Sequence, residues 1–206
     1  MNKKKILLIV ICLAFVLLMV GAYALYENLS DQVAHDQLST QPPVTSETQP
    51  NATENTQPSE TENAQIVMAP DFVVYDQDGN EVHLSDYFGK PIVLNFWASW
   101  CGPCHMEMPD FQEKYLELGD EIQFLMINMT DGSRETVEIA SDFIAQKGYT
   151  FPVFFDTKSE AAYTYGAYSL PTTYFINAQG HAIAQAVGAI DAETLQRGID
   201  MITNGE

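Results

Sequence analysis

The chain has 206 residues, with 9 Lys and Arg against 28 Asp and Glu, and a net charge of −19. So acidic a protein repels a phosphate backbone, which excludes nucleic acid as a partner. Its three cysteines are too few for a secreted disulfide scaffold.

In chain order, Lys3-Lys4-Lys5 comes first, followed by about twenty apolar residues over 6–25. At about 1.5 Å per residue, such a run matches the roughly 30 Å of a bilayer core. The expectation is an N-terminal membrane anchor or signal segment over 1–26. With the basic cluster cytoplasmic, the rest is placed outside the cell membrane. Ala22-Tyr23-Ala24 fits a small-x-small cleavage pattern, so secretion after signal cleavage is the alternative.

Residues 27–65 carry seven acidic groups, no Lys or Arg, and almost no large apolar side chain. They cannot offset the entropy of ordering and are expected to be a disordered, acidic Ser/Thr/Pro/Gln-rich linker. The remaining 66–206 reads as one domain of net charge −15.

Within that domain, 72–75 and 82–84 flank Asp78-Gly79 and predict a short hairpin. Ser85 is placed to cap a brief helical turn. Residues 92–97 lack alternation, as does 122–127, and both predict strands buried on two faces. Between them, 102–118 follows helical spacing and stops at Gly119. Ser133 reads as the N-cap of a helix running to Lys147, closed by Gly148. A strand over 151–155, a helix over 159–165, a hairpin of 172–176 with 182–187, and a last helix from Asp191 complete the domain. Strands alternating with helices predict an α/β fold with a mixed central sheet.

Chemistry concentrates at Cys101-Gly102-Pro103-Cys104, where the first buried strand runs into a helix. The first turn of a helix offers unpaired N–H groups and the positive end of its dipole, and both favour a thiolate. A second thiol three residues on can close a disulfide with the first. Cys101 is therefore the expected exposed nucleophile and Cys104 the deeper, resolving thiol. No second Cys pair completes a zinc site. The Cys-x-x-Cys-His pattern ending in His105 also matches haem attachment, but covalent haem would consume the thiols, so His105 reads as a solvated side chain or a modest stabiliser of the Cys101 thiolate, and no cofactor or metal is expected.

Trp97-Ala98-Ser99-Trp100-Cys101-Gly102-Pro103-Cys104, with Pro109 and the distant Leu170-Pro171-Thr172, resembles thioredoxin. The N-terminal hairpin, Asn95 in place of an acid, Glu107 within Cys-x-x-Glu-x-Pro and an inserted helix–strand at 133–155 resemble its membrane-tethered TlpA/ResA-like branch. The resemblance implies a thioredoxin fold and an extracytoplasmic thiol–disulfide oxidoreductase acting on disulfide-bearing exported proteins. It also implies recharging by a membrane electron donor of the CcdA type. On the same ground Pro171 is expected cis and facing the cysteines, with the Leu170 backbone pairing to substrate. Trp100, Gly102 and Pro103 complete the expected substrate-binding rim.

Glu107 lies one helical turn beyond Cys104. Either it is a solvated helix residue, or it is a buried carboxylate that exchanges the Cys104 proton, its pKa raised by desolvation. Three rivals stand beside the reductase reading. One is a disulfide-donating oxidase of the same fold. Another is a copper-binding module using Cys101, Cys104 and His105. A peroxiredoxin would need Pro-x-x-x-Thr-x-x-Cys, and Leu94 and Ala98 occupy the first two of those positions.

Overall fold

The computed structural model describes residues 15, 18–21, 38–40 and 67–203. The chain divides into two compact units, Met1–Gln37 and Leu38–Glu206. In the first, Phe15 and residues 18–21 are helical and exposed. Among the described residues no helix is long and apolar enough to cross a membrane. A crossing helix needs about 20 consecutive apolar residues. The single-pass span expected over 6–25, and the membrane placement drawn from it, are thereby corrected. Most of 6–25 and of the expected linker lies outside the described residues.

The second unit carries one sheet. Its strands are β1 (Leu38–Ser39), β2 (Val67–Met68), β3 (Val73–Tyr75), β4 (Glu81–His83), β5 (Ile92–Trp97), β6 (Gln123–Asn128), β7 (Val153–Phe155), β8 (Thr172–Ile176) and β9 (His181–Val187). The helices are α1 (Gly102–Leu118), α2 (Val137–Lys147), α3 (Glu160–Tyr165) and α4 (Ala192–Thr203). The strand order is β1-β9-β8-β5-β6-β7-β3-β4, with β2 also on β9. Strands β5, β6 and β7 run parallel, while β8 and β9 join antiparallel on one side and β3 and β4 on the other.

Strand β5 sits at the centre, and all six of its residues are buried. The two-residue period of a strand sends Val93 and Trp97 to one face and Ile92, Leu94 and Phe96 to the other, so two cores form. The first core joins them to Cys101, Cys104, Met108 and Phe111, Ala140 and Ile144, and Leu195 and Ile199. These are the inner faces of α1, α2 and α4. Complete burial of each large aliphatic or aromatic side chain among them contributes about 1.5–3 kcal/mol. Helix α4 lies so close to β8 that a Cβ on Gly198 would stand 2.2 Å from the Phe175 ring.

Three local expectations shift. The 3₁₀ turn Leu84–Tyr87 is capped at His83, not Ser85, because the Asp86 carboxylate accepts the His83 N–H. Helix α2 starts at Val137 with Thr136 as its N-cap, so residues 131–135 are loop and not helix. There Asp131 Oδ1 accepts the N–H groups of Ser133, Arg134 and Glu135, which stops the backbone from entering a helix early. Finally, Leu38 and Ser39, inside the expected linker, pair with Ala186 and Gln185 at the sheet edge, and Leu38 packs on the first core.

Candidate active site

Cys101 and Cys104 form a disulfide. Cys101 is the N-cap of α1, in extended backbone geometry, and its Sγ accepts the N–H of Cys104 at 3.2 Å. Pro103 lies in the first helical turn, where its missing N–H leaves nothing unsatisfied. The sulfur of Cys101 therefore takes the place a serine or aspartate oxygen usually fills at a helix start. A thiolate there would meet the same donor and the dipole's positive end.

The exposure expected of Cys101 needs correcting. Only 4% of the residue is accessible, because the disulfide ties its sulfur down onto the fully buried Cys104. Around it Trp100 is 42% exposed, and Gly102 and Pro103 are exposed. The Arg134 guanidinium lies 3.9 Å from the centre of the Trp100 ring.

Glu107 is buried, not solvated. Its Oε1 accepts from Asn95 Nδ2 at 2.8 Å, and its Oε2 from the Ile190 N–H at 3.1 Å. Asn95 Nδ2 also donates to Thr173 Oγ1 at 3.0 Å, while Asn95 Oδ1 has no partner. Removal from water pushes the Glu107 pKa from 4.5 up to about 7, against the pull of its two donors. A carboxyl poised near neutrality, one turn beyond Cys104 on the buried face of α1, suits proton exchange.

The Leu170–Pro171 peptide is cis. Pro171 is buried, its carbonyl accepts the Gly188 N–H at 2.8 Å, and Leu170 packs against both cores. His105 differs from the solvated side chain expected. Its ring stacks on Phe143 with centroids 4.7 Å apart, and Nε2 lies 2.7 Å from the Ser99 carbonyl.

Sequence reasoning passed over Glu135. It is buried and accepts hydrogen bonds from the Ser99 N–H, the Ser99 hydroxyl and Asn128 Nδ2. The Asp131-Gly132 turn signal could have shortened the predicted helix and freed this residue. Nothing in a separation of 36 residues announces its contact with Ser99. Among the described residues, no group of three or more His, Cys, Asp or Glu could hold a metal ion.

Comparison with known proteins fits this geometry. The family described as AhpC/TSA matches residues 67–185. "Thiol-disulfide oxidoreductase ResA" of Bacillus thuringiensis strain Al Hakam is 38% identical over 138 residues, covering 66% of this chain and 76% of that protein. The ResA of Bacillus subtilis strain 168 is 31% identical over 139 residues, covering 67% and 75%. The crystal structure of StoA from Bacillus subtilis superposes with a TM-score of 0.55 at 28% identity, covering 64% of this chain and 97% of that one.

Proposed function

This chain belongs to the AhpC/TSA family and is a thiol–disulfide oxidoreductase similar to the ResA proteins, and on that premise we propose that it reduces protein disulfides through Cys101 and Cys104. The observation that carries the reading is the placement of Cys101 as a helix N-cap whose sulfur accepts an amide N–H. In the reduced protein the Cys101 thiolate attacks one sulfur of a partner's disulfide. The partner's S–S bond breaks, and its first sulfur leaves as a thiolate that takes a proton.

Cys104 then loses its proton to Glu107 and attacks Cys101 Sγ in the mixed disulfide. The second partner sulfur leaves, takes a proton, and the Cys101–Cys104 bond closes. Two electrons have passed to the partner; one of its two new protons is the Cys104 proton handed on by Glu107, and the other comes from water because Cys101 began as a thiolate. Glu107 fits the role because neither neighbour on its oxygens is a cation that would hold it ionised. Turning the Asn95 amide would offer its unpartnered Oδ1 to a protonated Glu107, so one side chain serves both charge states.

Trp100, Gly102 and Pro103 form the rim against which the partner lies, and the Leu170 backbone before Pro171 pairs with its extended segment. The catalytic unit is the 66–206 domain. A dithiol donor of the CcdA type recharges the pair, and apocytochrome c or a methionine sulfoxide reductase fits as substrate. That donor and those substrates are carried by the family resemblance.

Trapping tests the reading. Cys104→Ala in the full chain should accumulate a mixed disulfide with a disulfide-bearing protein such as insulin, through Cys101. Failure to trap any partner would overturn the nucleophile assignment. Equilibration with glutathione sets the direction. A potential more negative than about −220 mV supports a reductant, and one near −120 mV an oxidase.

A further inference from the structure

Glu135 is the buried carboxylate that the reaction leaves unused. Its neighbours 131–134 are exposed, yet its own accessibility is 0%. A buried acid is retained only where its oxygens are well occupied, and here both are. Oε1 accepts the Ser99 N–H at 2.7 Å and Asn128 Nδ2 at 2.6 Å, and Oε2 accepts the Ser99 hydroxyl.

Both anchor points are rigid. Asn128 ends β6, paired in register with Trp97 of β5. The 131–135 loop is braced from inside by Asp131 Oδ1 on three successive N–H groups and by the Gly132 N–H on the Glu135 carbonyl at 3.0 Å. The turn that Glu135 grips is the one delivering Cys101, two residues beyond Ser99. Within it the Cys101 N–H bonds the Ala98 carbonyl at 3.1 Å. On its other side the Ser99 carbonyl meets His105 Nε2, which ties the same turn to the first coil of α1.

We propose that Glu135 is a positioning residue for Cys101, clamping the 98–101 turn through Ser99 so that the sulfur stays on the Cys104 N–H. If the turn loosens, the sulfur loses that donor for part of the time, its thiolate is less favoured, and attack slows. The inference rests on Cys101 being the nucleophile.

The test is alkylation of the reduced full chain by iodoacetamide from pH 5 to 9, with mass spectrometry assigning the modified cysteine. Wild type should react first at Cys101. Should Cys104 react first, the nucleophile assignment itself fails, whatever the variants do. Glu135→Ala should raise the Cys101 midpoint by about one pH unit, a tenfold loss of thiolate below it. Ser99→Ala, which keeps the backbone bond, should shift it less and in the same direction. The double variant should match Glu135→Ala alone, because both act along one path. Glu135→Gln, which keeps an acceptor, should recover part of the shift. A wild-type midpoint in folded Glu135→Gln and Ser99→Ala, or additive shifts in the double variant, would overturn the proposal. Were Glu135→Ala not to fold, the Gln and Ser99 variants decide alone.

Discussion

Two buried carboxylates flank the redox pair, and they live in opposite surroundings. Glu107, behind Cys104, has one donor on each oxygen and sits beside an amide oxygen with no partner. Glu135, gripping the turn before Cys101, has three donors converging on its two oxygens. Burial alone therefore does not decide what an acid does. A sparsely bonded carboxyl is free to change charge, whereas a fully bonded one holds its donors in place.

The sharpest way to break this comparison is to delete both acids. Glu135→Ala strands the Ser99 N–H and Asn128 Nδ2 without acceptors, at about 1–3 kcal/mol each when buried. A loss of about 3–5 kcal/mol is expected from urea unfolding at pH 8. Glu107→Ala strands donors too, but it also removes an acid that burial disfavours, so its loss should be visibly smaller. Equal losses would erase the distinction.

The next effect is the pH dependence of stability. The Glu107 pKa is about 7 in the folded protein against 4.5 as its ordinary value. Between those values the folded state binds the extra proton, so stability falls as pH rises through the window and levels off above pH 7. The loss amounts to about 3 kcal/mol over the window. Glu107→Gln should remove that slope and leave the protein more stable than wild type at pH 8. Urea midpoints from pH 4.5 to 8 measure both.

How much of this was legible in the sequence follows from the range of the interactions. Helix α1, strand β5 and the Cys101–Cys104 pair are written in local spacing and turn residues, and the structure has them within a residue of the reading. The depth of Glu107 was half legible, since its turn-by-turn distance from Cys104 is local but the Asn95 and Ile190 partners are not. Ser133 looks like a cap in the sequence, but Asp131 takes the local N–H groups, so α2 begins only at Val137. A helix from Ser133 would carry Glu135 on its surface, whereas the loop turns it inward. The Leu38–Ser39 pairing on β9 was illegible for another reason: two residues of strand inside a polar tract carry no periodicity.

A smaller effect sharpens the Glu107 half of the comparison. Asn95→Asp places a second carboxyl 2.8 Å from the first, at the position now held by the donor Nδ2. Loss of that donor and like-charge repulsion both disfavour the charged form, so the Glu107 midpoint should rise above about 7. A rise of one pH unit corresponds to about 1.4 kcal/mol. The pH profile of mixed-disulfide resolution by Cys104 reads this, with its rising limb displaced upward. An unmoved limb would remove Glu107 from the proton path.

The smallest effect belongs to the outer edge of the Glu135 loop. Arg134 lies over Trp100 at the surface, where a cation–ring contact contributes about 0.5–1 kcal/mol. Arg134→Ala leaves the clamp on Ser99 untouched, so the pH midpoint of Cys101 should stay where it is. The freed Trp100 ring should bind partners less well, raising KM for insulin reduction about two- to fivefold with kcat little changed. A fall in kcat instead would mean that the exposed rim and the buried clamp act as one unit, and the loop could no longer be divided into a residue that sets the nucleophile and a residue that meets the partner.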